Sequence, residues 1–122
     1  MRLNEEFRDR SKQYASAIIR LYVALPTRRR EVQVLGHQLL RSGTSVAAHV
    51  REASRARSDA EFCSKIDSAL QEADESGLWL ELLRDDCRID GPELLYLLSE
   101  SNELMSIFVT MMERTKRRTG KQ

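Results

Sequence analysis

The chain has 122 residues, 41% of them hydrophobic and 32% charged, with five glycines, two prolines and a mean hydropathy of −0.50. That length holds one domain with one core, and the composition excludes disordered, collagen-like and proline-rich classes. Twenty basic and nineteen acidic side chains leave a formal net charge of +1. No overall electrostatic bias therefore draws the protein to nucleic acid or acidic ligands, and any bias must come from where the charges stand.

Met1-Arg2-Leu3-Asn4-Glu5-Glu6-Phe7 lacks the apolar core of a signal peptide, and no uncharged apolar stretch approaches the ~20 residues that span a bilayer. A cytoplasmic protein with no membrane partner is expected. Three groups of breakers, Pro26-Thr27, Ser54-Arg55-Ala56-Arg57 and Asp90-Gly91-Pro92, divide the chain into four segments, none alternating like a strand. Helices are predicted at about 4–25, 29–53, 58–88 and 92–116, followed by a solvated, frayed tail over 117–122. In the first, Phe7, Tyr14, Ile18, Leu21, Tyr22 and Leu25 recur at helical spacing up to the proline that stops it. In the second, Val32, Leu35, Leu39, Gly43, Val46 and Val50 advance by threes and fours. The third opens on Ser58-Asp59-Ala60-Glu61, a capping box in which the serine takes a free amide and the glutamate reaches back. Phe62, Ile66, Ala69, Ala73, Leu80, Leu83 and Cys87 continue its stripe. In the fourth, Pro92 suits a first turn, and Leu94, Leu98, Ser101, Met105, Phe108 and Met112 mark one face.

Long amphipathic helices with short connections bury their stripes against sequence neighbours. The predicted fold is all-α, a single antiparallel up-down-up-down four-helix bundle over residues 1–122. Cys63 and Cys87 fall on one predicted helix, roughly 36 Å apart at ~1.5 Å per residue, so they cannot form a disulfide and read as small buried hydrophobes.

Two helices carry a second row. Gln38, Arg41, Ser45, Ala48 and Glu52 run along helix two, and Lys65, Ser68, Glu72, Glu75, Trp79 and Leu82 along helix three. A polar row is often only the wet face of a helix. Here, however, Leu78, Trp79, Leu80, Leu82 and Leu83, with Leu94 to Leu98 in helix four, cover more circumference than one core can bury. Burial of Trp79, Leu82 and Leu95 against another subunit is expected. Ser42, Gly43, Ala47 and Ala48 would let a further helix approach helix two closely.

Charge is segregated along the chain. Residues 1–30 carry 8 basic and 3 acidic groups, 31–57 carry 4 and 2, 58–104 carry 3 and 13, and 105–122 carry 5 and 1. Pairing inside the bundle is one reading, and opposite faces meeting between subunits is another. A third is a phosphate-binding surface made by Arg28, Arg29, Arg30, Arg55 and Arg57 with Lys116, Arg117, Arg118 and Lys121.

The run from Gln38 to Ala53, with Arg41-Ser42-Gly43-Thr44-Ser45 and His49-Val50-Arg51-Glu52 inside it, resembles the signature of the bacterial four helix bundle protein family. That family includes the intervening-sequence proteins encoded inside some large-subunit (23S) ribosomal RNA genes. The likeness continues through Ser58-Asp59-Ala60-Glu61-Phe62, Ala69-Leu70-Gln71-Glu72-Ala73-Asp74-Glu75-Ser76 and Trp79-Leu80-Glu81-Leu82-Leu83, covering about residues 7 to 113. It implies a bundle that assembles as a ring-shaped homopentamer without enzymatic activity. The family is also similar to accessory proteins of diversity-generating retroelements, whose pentameric barrels offer basic surfaces to nucleic acid. By the same likeness Arg41, Glu52, Glu72 and Glu75 are structural and interfacial, and His49 stands where the family commonly has asparagine, placing a titratable ring there.

A dinuclear metal site would draw on His49, Glu52, Glu72 and Glu75, but it calls for a Glu-x-x-His motif on each of two helices plus further acids on the others. The chain offers one reversed His-x-x-Glu and one Glu-x-x-Glu, so ion pairs with Arg41 account better for these acids. His37 forms no nucleophile–base pair with Cys63 or Ser45, and the glycines are isolated, without a phosphate loop. Trp79 and the four methionines, Met1, Met105, Met111 and Met112, read as packing or interface residues, not a cofactor box. No catalysis, metal, cofactor or small-molecule substrate is expected. The favoured role is a homo-oligomer that binds RNA or DNA, and the competing one is a scaffold for another protein.

Overall fold

The computed structural model describes residues 5–120. They form α1 (Glu5–Ala24), α2 (Arg30–Ser54), α3 (Asp59–Asp85) and α4 (Pro92–Gly120), with no strand among them. Each helix packs on its sequence neighbours and α4 returns to α1, closing a four-sided bundle around one core. The cross-helix contacts fix every neighbour as antiparallel. Arg10 meets Glu100 while Arg20 meets Glu93, and Arg41 meets Glu75 while Lys65 meets Glu52. Gly36 faces Tyr22 and Leu25 while Gly43 faces Ile18, and Arg118 at the end of α4 reaches Asp59 at the start of α3. No helix among the described residues is long and apolar enough to cross a membrane.

The predicted stripes of α1 and α3 enter the core, with Tyr14, Ile18, Phe62, Ile66, Leu80 and Leu83 fully buried. A fully buried side chain of this size contributes about 1.5–3 kcal/mol. In α4 the predicted face holds at Leu94, Ser101 and Phe108 and is displaced at its other three positions. Leu94, Leu97, Leu104, Phe108 and Met111 point inward, whereas Leu98, Met105 and Met112 lie only half-buried along its edge. The unbroken Leu94–Leu98 run hides the phase, because every position in it is equally apolar. In α2, Gly36 and Ser42 are buried and Leu35 is half-buried. Cys87 is buried as expected, Cys63 only partly, and both are free thiols.

Ser58 caps α3 by accepting from the Glu61 amide at 3.0 Å, as the capping box predicts. The Glu61 carboxylate, however, accepts from the Arg57 amide at 2.8 Å, one residue before the cap. Between α3 and α4 the chain turns through Arg88 (φ 62°) and Gly91 (φ 116°), both in the left-handed region. The predicted frayed tail is instead helix to Gly120. Thr115 is buried, and Asp59 accepts hydrogen bonds from Arg118 at 2.7 Å and Thr119 at 3.0 Å. Negative charge at the start of α3 also suits the positive end of that helix.

One buried hydroxyl from each helix forms a polar layer inside the apolar core. Tyr14 Oη lies 2.7 Å from Ser101 Oγ, and Ser42 Oγ lies 2.8 Å from Ser76 Oγ. Ser101 donates to the Leu97 carbonyl and Ser76 to the Glu72 carbonyl, so Tyr14 and Ser42 act as the donors of the cross-helix bonds. Every member is satisfied, which is the condition under which a buried polar group is tolerated.

Candidate functional site

The two polar rows predicted on α2 and α3 face each other along one outer seam of the bundle. Seven-residue spacing keeps Lys65, Glu72 and Trp79 on one line of α3, and Glu75 and Leu82 on another. Arg41 of α2 is the hub. Its Nη2 donates to Glu75 Oε1 at 3.0 Å, and its Nη1 sits 3.7 Å from Glu72 Oε1, an atom that is enclosed without a hydrogen bond among the described residues. Ser45 spends its hydroxyl on the Arg41 carbonyl at 2.8 Å, and Gln38 is exposed one turn earlier. Toward the end of the seam His49 Nδ1 lies 2.9 Å from Glu52 Oε1, with Lys65 Nζ at 3.6 Å from the same oxygen. The His49 hydrogen bond, aided by the Lys65 charge, holds the Glu52 carboxyl below the usual carboxylate range.

His49, Glu52, Glu72 and Glu75 therefore form two separate ion-paired groups, not one cluster around a common centre. Among the described residues no three His, Cys, Asp or Glu side chains are placed to hold a metal ion. Trp79 and Leu82 close the other end of the seam, half-buried, and the Trp79 indole N–H is enclosed without a hydrogen-bond partner among the described residues. Leu95 does not share this seam. It lies on the outer side of α4, 59% exposed, with Leu78 of α3 at 47%. The small residues of α2 do admit a close helix, but it belongs to the same chain: a Cβ on Gly43 would stand 2.7–2.9 Å from three atoms of Ile18.

The predicted basic surface is divided between the two ends of the bundle, separated by the 25 residues of α2, roughly 36 Å at ~1.5 Å per residue. Arg28, Arg29 and Arg30 stand at one end. There Arg29 is spent, donating to the Cys87 carbonyl at 2.7 Å and to Glu31. Arg55, Arg57, Lys116, Arg117 and Arg118 stand at the other. Of these, Arg118 is held by Asp59, while Arg55, Arg57, Lys116 and Arg117 are exposed and make no ion pair among the described residues. Lys121, expected in the same group, lies outside the described residues.

Sequence reasoning missed the clamp between the first and last helices. Arg10 donates through Nε and Nη2 to both oxygens of Glu100, each at 2.8 Å, and its Nη2 also reaches Glu103 at 3.2 Å. Glu100 is buried and its charge is matched by this fork, which raises the Arg10 pKa further above its ordinary value. A glutamate at the four-residue spacing of Leu97, Ser101 and Leu104 was the available signal.

An all-α antiparallel bundle with an ion-paired α2/α3 seam defines a class of small helical-bundle proteins. Within that class, the model of the 23S rRNA-intervening sequence protein family matches residues 4–110, and the chain belongs to that family. It is similar to a solved structure from Bacteroides thetaiotaomicron, a protein of unknown function from the S23 ribosomal protein family. The two are 35% identical with a TM-score of 0.78, over 86% of this chain and 96% of that one. Comparison with curated proteins gives no match.

Proposed function

We propose that the protein is a non-catalytic, cytoplasmic homo-oligomer, assembled as a ring-shaped pentamer, that binds RNA or DNA through one basic end. The observation that carries the nucleic-acid reading is the group Arg55, Arg57, Lys116 and Arg117. These four cations stand at one end of the bundle and make no ion pair among the described residues. Unpaired, exposed guanidinium and ammonium groups are the side chains that displace counterions from a phosphate backbone. Membership of a family named for 23S ribosomal RNA genes supports the same partner class. Self-association is supported by the exposed apolar residues Ile19, Val23, Leu78, Leu95 and Val109, which one chain leaves uncovered.

Retardation of a duplex and a single-stranded RNA at several salt concentrations tests this reading. Binding should weaken steeply as salt rises. Replacing Arg55, Arg57, Lys116 and Arg117 by alanine should lower the slope by about 0.7–0.9 for each phosphate that is no longer neutralised. The Arg28→Ala, Arg30→Ala variant, altered at the opposite end, should bind as the parent does. No retardation at low salt, or binding indifferent to salt, would overturn it, and a pull-down yielding one protein and no nucleic acid would favour a scaffold.

A further inference from the structure

The basic character of the Arg55 end continues past the helix termini and down one side of the bundle. Arg51 stands one helical turn before Arg55 on α2, and Arg8 and Lys12 are one turn apart on α1. Gly43 faces Ile18, and Gly36 faces Tyr22 and Leu25, so facing residue numbers in this antiparallel pair add to between 58 and 61. That register brings Arg8 level with residues 50–53 of α2, beside Arg51, and sets Lys12 one turn further from the end. Arg8, Ala15 and Tyr22 recur every seven residues, and Tyr22 packs over Gly36, which places Arg8 on the border of α1 with α2. Eight positions after Gly43, Arg51 keeps to the α1 side of α2. Arg55, the Arg51 and Arg8 pair, and Lys12 thus form a row about 12 Å long at ~1.5 Å per residue.

Arg8, Lys12 and Arg51 make no ion pair among the described residues. The acids nearest to them in sequence are turned elsewhere. Glu52 pairs with His49 and Lys65 along the α3 seam, and Glu5, Glu6 and Asp9 line a depression on the side of Arg10 and Gln13, toward α4. Arg8 is half-buried, and its Nε is enclosed without a hydrogen-bond partner among the described residues. Packing of its stem therefore holds the guanidinium in place while leaving a donor that an anion would satisfy. The exposed apolar residues Ile19 and Val23 lie further along α1, toward the opposite end of the bundle.

We propose that Arg8, Lys12 and Arg51 form a phosphate-binding track, continuous with Arg55, that leads the backbone of a nucleic acid duplex from the end of the bundle down its α1/α2 side. The track rests on the nucleic-acid reading above and adds the path and the form of the ligand. Its cations stand on two rigid helices in steps of about 6 Å, one turn each, and no aromatic residue is interleaved between Arg8 and Lys12 or between Arg51 and Arg55. Single strands are gripped by bases stacked on aromatic side chains, whereas a duplex turns its phosphates outward at fixed positions. The guanidinium groups of Arg8 and Arg51 match phosphate oxygens two at a time, and such contacts carry no base sequence.

Retardation of a short duplex RNA, the matching duplex DNA and a single-stranded RNA over a range of salt tests the track. The Arg8→Ala, Arg51→Ala variant should lower the salt slope on both duplexes by about 0.9 for each phosphate released, about 1.8 in all, with helical circular dichroism unchanged. Arg8→Lys, Arg51→Lys keeps both charges and should keep the parent's slope. The single strand should bind more weakly than either duplex. A parent that binds, beside a folded alanine variant of unchanged slope, overturns the track alone, and so does a parent that prefers the single strand. A parent that retards no nucleic acid overturns the nucleic-acid reading and the track together. The Arg8 Nε–H resonance of the unaltered chain, followed by proton–nitrogen NMR, gives a readout that does not depend on variant folding. It should shift as duplex is added and saturate with binding. An unmoved resonance in a protein that retards duplex overturns the track.

Discussion

The phenol of Tyr14 is the most buried titratable group on α1, and its hydroxyl bridges to Ser101, with Ser76 also in hydrogen-bonding reach. Tyr14→Phe should cost about 0.5–1.5 kcal/mol, because Ser101 keeps its bond to the Leu97 carbonyl and one acceptor lone pair is left idle. Urea unfolding of the two proteins measures the difference. Burial pushes the Tyr14 pKa up, only partly offset by hydrogen bonding to Ser101 and Ser76. A raised folded-state value stabilises the fold fully below the unfolded-chain value of about 10 and is lost as pH climbs toward the folded value. The alkaline fall in stability should therefore be shallower in Tyr14→Phe. Glu52 titrates the other way. Its carboxyl is held low by the His49 hydrogen bond, so it adds stability above its unfolded value and loses it as pH falls through the folded one. In His49→Ala the Glu52 midpoint should move up, as followed by carboxyl NMR, and an unmoved midpoint would show that the hydrogen bond is not formed in solution.

At the scale of helices, two glycines predict opposite outcomes. A methyl on Gly43 would overlap Ile18, so Gly43→Ala should destabilise by about 1–3 kcal/mol from overpacking, reduced by the ~1 kcal/mol that alanine gains in a helix. Gly77 has nothing within 4 Å of the same position, and Gly77→Ala should raise chain stability by about 0.5–1 kcal/mol. Thermal melts at equal concentration compare them. The Arg10 clamp gives a third case: Arg10→Ala strands the buried Glu100 carboxylate and should cost about 1–3 kcal/mol, much of it recovered by adding Glu100→Leu. What the sequence discloses at this scale follows from contrast between neighbouring residues. Phe62 and Ile66 stand among Glu61, Ser64, Lys65 and Asp67, so the first turns of α3 are readable to their core positions. Leu94 to Leu98 offer little contrast, and half of the predicted inward face of α4, Leu98, Met105 and Met112, falls at the edge of the core. The Ser58 cap is legible because its partners are local, whereas Arg10–Glu100 joins residues ninety positions apart and only the closed bundle brings them together.

For the whole molecule, the seam of Arg41, Glu72 and Glu75 follows from side-chain type and spacing, and so does the segregation of charge. The placement of that charge does not. Arg28 to Arg30 and Arg55 to Arg57 read as one basic surface along the chain, yet a full helix length separates them. Antiparallel topology is what groups Arg55 and Arg57 with Lys116 and Arg117, residues about sixty positions later.

The hydroxyls at Tyr14, Ser42, Ser76 and Ser101 have an effect on shape as well as on energy. Smooth leucine seams can slip past one another by two turns and still interlock. Here such a slip would break both cross-helix bonds and leave the Tyr14 hydroxyl without a partner, while the serines keep only carbonyls of their own helices, so the bundle has one detent rather than a sliding scale. Whatever settles on its outside meets the same relief every time.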